Sequence, residues 1–104
     1  MKEITDKNFN MTVARGYSVV DVWAAWCGPC KRLTPLLEGL EVEFKDRVNF
    51  FSLDFDSNPK IPESYSVMSI PTLLFFEDGF LINQTSGLKS RIILEELITE
   101  TFSL

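Results

Sequence analysis

The apolar positions of this chain alternate between short strand-like runs and longer helix-like stripes. Val19-Val20-Asp21-Val22-Trp23 is β-branched and nearly all apolar. Such a run predicts a strand covered on both faces. Leu33, Leu37, Leu40 and Phe44 then recur at helical spacing, as in a helix with one buried side. This helix is predicted to begin within Cys27–Cys30 and to reach Phe44. Pro35 inside it removes one backbone donor and is expected to kink the helix without ending it. Gly39 lowers its propensity a little further. Asn49 to Phe55 predicts a second strand, with Phe51, Leu53 and Phe55 alternating with Ser52 and Asp54. Strand, helix and strand in this length make a right-handed, parallel βαβ unit.

The flanking segments are weaker but ordered. Met1 to Ile4 leaves room for a very short first strand. Thr5 is a candidate cap for a helix to about Arg15, with Phe9 and Val13 on one face and Gly16 as its end. Asp56-Ser57-Asn58-Pro59 reads as a turn, followed by a short polar helix, Ile61 to Ser64. Leu73 to Phe76 is a second buried strand. Asp78-Gly79 supplies the positive φ angles of a tight hairpin. Phe80 to Thr85 grows more polar toward its end, as an edge strand does, and Gly87 breaks it. Ser90 is a candidate cap for a last helix whose apolar face is Ile93, Leu94, Leu97, Ile98 and Phe102. The order β-α-β-α-β-α-β-β-α implies a mixed sheet with helices on both faces, an α/β protein. Val19–Trp23 and Leu73–Phe76 are expected at its centre.

Composition narrows the function more than the fold. The 104 residues are 45% hydrophobic, enough for one domain over residues 1–104 with a core of its own. The net charge of −5 carries no basic patch larger than Lys31-Arg32, so nucleic acid is not an expected partner. No apolar run approaches membrane-spanning length, and no secretory leader is read at the start. The expectation is a cytoplasmic monomer. In a reducing compartment a close cysteine pair is catalytic more often than structural.

The chemistry lies in Trp26-Cys27-Gly28-Pro29-Cys30, which holds both cysteines of the chain. Two thiols at this spacing, where a strand passes into a helix, can close a short disulfide. The helix start favours the anionic form of the first thiol. With no histidine and no third cysteine, a zinc site within the chain is not expected. A structural disulfide closing so small a loop gains little entropy. The spacing therefore points to redox work. By position, Cys27 is the exposed attacking thiol, and Cys30, one turn in, is the more buried resolving thiol. Gly28 keeps the tip small, and Pro29 stiffens the turn without costing a hydrogen bond. Asp21, a carboxylate among apolar neighbours, is expected to be buried with a raised pKa and to accept the Cys30 proton.

These residues resemble the thioredoxin family. The resemblance rests on Trp26-Cys27-Gly28-Pro29-Cys30-Lys31 with Asp21 before it. It extends to Pro35, Ile70-Pro71-Thr72, Asp78-Gly79 and Gly87, in order along most of the chain. It implies a thioredoxin fold, a central mixed five-stranded sheet flanked by four helices. It further implies a cis bond at Pro71 and a surface position for Trp26. The implied activity is reduction of protein disulfides through a reversible Cys27–Cys30 pair, with no bound cofactor and regeneration by a thioredoxin reductase. The implied docking patch comprises Trp26, Gly28, Pro29, Ile70, Pro71, Gly87 and Leu88 beside Cys27, with the Ile70 backbone pairing with an extended substrate.

Three positions depart from the family pattern. Ser52 stands where many members carry a lysine near the buried aspartate, which is expected to raise the Asp21 pKa further. Met68 replaces a frequent basic residue or glycine, and Ala25 a frequent acid; both make the docking face less charged. Two rival functions remain at this level. One is a thioredoxin-fold binding or scaffold subunit with a secondary redox role. The other is an oxidase or isomerase, whose potential would lie near about −120 to −180 mV.

Overall fold

The computed structural model describes residues Met1–Leu104. Its elements are β1 (Lys2–Ile4), α1 (Phe9–Thr12), β2 (Tyr17–Trp23), α2 (Gly28–Glu43), β3 (Asn49–Asp54), α3 (Lys60–Ser64), β4 (Thr72–Glu77), β5 (Phe80–Ser86) and α4 (Arg91–Phe102). The strands form one sheet in the order β1-β3-β2-β4-β5. Strands β1, β3 and β2 run parallel, while β4 is antiparallel to both β2 and β5. The expected mixed five-stranded sheet with four helices is therefore present, with β2 in the middle.

Side-chain alternation along β2 explains how the sheet is covered. Val20 and Val22 join Ile4, Phe9, Leu53, Leu74 and Phe76 on one face. Val19 joins Leu33, Leu37, Leu40, Phe75, Leu94 and Ile98 on the other, beneath α2 and α4. Each such side chain, fully buried, contributes about 1.5–3 kcal/mol relative to exposure. The same alternation puts Asp21 and Trp23 on the face covered by α2. Strand β4 is apolar from Leu73 to Phe76 because both its faces are buried, from Thr72 to Phe76.

Three expectations change. The first helix is only Phe9–Thr12, not Thr5 to Arg15. Thr5 and Asn8 bond reciprocally through their side chains and backbone N–H groups, and the backbone N–H of Asp6 is held by Asn58 Oδ1 at 2.9 Å. At the other end Gly16 bonds twice to Asp78, which pulls the chain into β2. Phe9 and Val13 are nonetheless buried as expected. In β3 the alternation hides a second buried side: Phe50 is 2% exposed and packs on the α2 face. In α4, Leu94, Ile98 and Phe102 are buried, but Ile93 is exposed. It lies on the outer shoulder of the stripe and is only partly covered.

Long helix α2 continues through Pro35, whose ring faces solvent. The hairpin between β4 and β5 turns on Asp78 and Gly79, at φ of 49° and 87°. Helix α3 is capped by a distant side chain. Asp6 accepts the backbone N–H groups of Lys60 and Ile61 at 3.0 and 2.9 Å.

Candidate active site

Cys27 and Cys30 form a disulfide where the loop after β2 enters α2. Cys27 is the N-cap of the helix, and its Sγ accepts the backbone N–H of Cys30 at 3.2 Å. A sulfur here takes the place of the usual capping oxygen and satisfies one of the free donors of the first turn. Pro29 occupies that turn, where no hydrogen bond is lost, and both Gly28 and Pro29 are exposed. Cys30 is 1% exposed, as its place one turn in requires. Cys27 is not the exposed tip that position alone suggests; it is 4% exposed. Both cysteines pack against Ala24 and Ile70.

Beneath the helix, Asp21 sits in register with Ser52 of β3 and Leu73 of β4. It is 1% exposed, and its Oδ1 has no hydrogen-bond partner. Loss of hydration without compensation raises its pKa to about 7. A carboxyl group with that affinity can both take up and release a proton near neutrality. It opens onto a cavity of about 250 Å³ lined by Met1, Asp21, Trp23, Thr34, Glu38 and Ser52. Thr34 also reaches the start of α2, its hydroxyl donating to the Cys30 carbonyl at 3.1 Å. Trp23, expected in the core, is half-buried, and its indole Nε1 is buried without a partner.

The remaining candidate residues come from three loops around the disulfide. Trp26 is 67% exposed, and its Nε1 donates to Asp56 Oδ2 at 2.9 Å. The Ile70–Pro71 bond is cis. Ile70 packs on the cysteine pair, and no hydrogen bond within the chain engages its backbone. Pro71 accepts the Gly87 N–H at 2.8 Å, and Gly87 adopts φ of +89°, a conformation suited to glycine. Leu88 follows it at the surface. The structure thus brings Cys27, Cys30 and Ile70 into one cluster and ties Pro71 to Gly87. Asp56 was legible only as part of a turn. Its role depends on the loop bearing Trp26 folding back over it, which no local pattern announces.

No group of three or more His, Cys, Asp or Glu side chains is placed to hold a metal ion. No helix is long and apolar enough to cross a membrane.

A cysteine pair capping a helix on this sheet defines the class: a thiol–disulfide oxidoreductase. Comparison with known proteins gives the family. The thioredoxin family model matches residues 1–100. The chain is 41% identical over 96 residues to a thioredoxin of Staphylococcus saprophyticus, covering 92% of each chain. It is 40% identical, with the same coverage, to a thioredoxin of Staphylococcus aureus strain Mu50. The chain belongs to the thioredoxin family and is a protein-disulfide reductase working through the Cys27–Cys30 pair.

Proposed function

We propose that Cys27 is the attacking thiol, Cys30 the resolving thiol and Asp21 the proton acceptor. The Cys27 thiolate attacks one sulfur of a substrate disulfide, forms a mixed disulfide and releases the other sulfur as a thiolate. Cys30 then gives its proton to Asp21 and attacks the Cys27 sulfur. The second substrate thiolate leaves, and the pair is left oxidised, having delivered two electrons. The observation that carries this reading is the bond from the Cys30 N–H to Cys27 Sγ at 3.2 Å. It supports the first sulfur as the one a helix start stabilises when charged.

An extended substrate strand docks beside the free backbone of Ile70, over Trp26, Gly28, Pro29, Pro71, Gly87 and Leu88. Electrons to reopen the disulfide come from a thioredoxin reductase. The working protein is a monomer in the cytoplasm, where a dithiol is kept reduced.

Insulin reduction coupled to a thioredoxin reductase and NADPH tests the assignment. The wild-type protein is expected to turn over, Cys27→Ser to be inert, and Cys30→Ser to accumulate a mixed disulfide through Cys27. Turnover by Cys27→Ser, or trapping through Cys30 in its place, would overturn the order of attack.

A further inference from the structure

The cavity beside Asp21 is lined by further groups that disulfide exchange does not use. It is lined by the acids Asp21 and Glu38, the hydroxyl residues Thr34 and Ser52, and by Trp23 and Met1. No lysine or arginine side chain lines it. The Asp21 Oδ1 is buried and unpaired, and an acceptor left so is stabilised by any donor that reaches it. From the strand side only Asp21 is ionisable, since its register neighbours are Ser52 and Leu73. From α2 the ionisable group is Glu38. Met1 is part of the lining, and its amino group is engaged by Glu41 Oε1 at 3.4 Å, its ion-pair partner.

We propose that this cavity is a binding site for a small primary ammonium ion, held between the carboxylates of Asp21 and Glu38. An ammonium group has three donors and no acceptor, which complements two carboxylates and the Ser52 hydroxyl. The Trp23 ring offers an apolar, electron-rich wall for the cation and its short alkyl stem. A divalent metal ion is a poorer match: calcium takes about six to eight oxygen ligands, more than this lining supplies. An anion would meet two like charges. The site rests on the cavity and its lining, and not on the assignment of Asp21 as the proton acceptor.

Proton and ammonium compete for Asp21, so binding strengthens as pH rises through its titration. A ligand that binds only the ionised form, at ten times its Kd, lowers the midpoint of that titration by about one pH unit.

The test uses the oxidised full chain near about pH 8, with methylammonium chloride as probe and the two indole N–H resonances as reporters. Trp23 lines the cavity, whereas Trp26 is bonded to Asp56 at the surface. The Trp23 signal is expected to shift saturably and the Trp26 signal to stay. Sodium chloride at equal ionic strength, and tetramethylammonium, which lacks N–H donors, are expected to move neither. Asp21→Asn is expected to abolish the saturable shift, and Ser52→Lys to abolish it by supplying a tethered ammonium. Glu38→Gln, at an exposed helix position that leaves the fold intact, is expected to raise Kd several-fold. No saturable Trp23 shift up to molar probe, or a Kd unchanged in Glu38→Gln or Asp21→Asn, would overturn the proposal.

Discussion

The Trp26 indole donates to Asp56 Oδ2 at 2.9 Å, locking the loop before the first cysteine to the turn after β3. Asp56 is itself held, its N–H donating to Asp54 Oδ1 at 3.0 Å. The bond fixes an exposed aromatic ring beside the disulfide without burying it.

Removing that acceptor is expected to loosen the ring. Asp56→Ala should lower kcat/KM for protein disulfides about two- to tenfold, the worth of one hydrogen bond. Asp56→Asn keeps an oxygen acceptor and should stay near wild type. Insulin-reduction kinetics, with the Trp26 indole resonance as a monitor, distinguish the two variants.

Asp21 makes stability depend on pH with a definite sign. Its folded pKa is about 7, while an unfolded aspartate titrates near about 4. Between these values the folded chain holds a proton that the unfolded chain has lost. Stability therefore falls as pH rises from about 4 to about 7, then levels off. Asp21→Asn should stabilise the protein by up to about 4 kcal/mol at about pH 8 and by little near about pH 4. Urea unfolding at the two pH values measures this. The same variant should slow thiol exchange and remove a rate step near neutrality.

The tertiary cap on α3 predicts a local effect. Asp6→Ala leaves the N–H groups of Lys60 and Ile61 without their acceptor. The expected loss is about 1–2 kcal/mol, with faster amide exchange across Lys60–Ser64. Urea midpoints and hydrogen exchange report both.

The far end of the core should matter for stability and not for chemistry. Phe102 is 2% exposed and stacks on Tyr17 with ring centroids 4.6 Å apart. Phe102→Ala is expected to cost about 3–5 kcal/mol. At a temperature where the variant is folded, its insulin-reduction rate should match wild type.

The sequence by itself determined the order of elements, the buried stripe of α2, the hairpin at Asp78-Gly79 and the residues of the disulfide. Each is written in local spacing: period two or three-and-a-half for burial, glycine for a positive φ, two cysteines one helical turn apart. It also placed a carboxylate inside an apolar strand at Asp21. Only the tertiary structure decided what surrounds these groups. Phe50 is buried because α2 crosses its side of β3, and the first helix is short because Asp6 and Gly16 are claimed by Asn58 and Asp78. The cavity at Asp21, the hold of Asp56 on Trp26 and the Asp6 cap on α3 join residues distant along the chain. Such pairings arise from the packing of layers, and hydrophobic periodicity records which side of an element is buried, not what it is buried against.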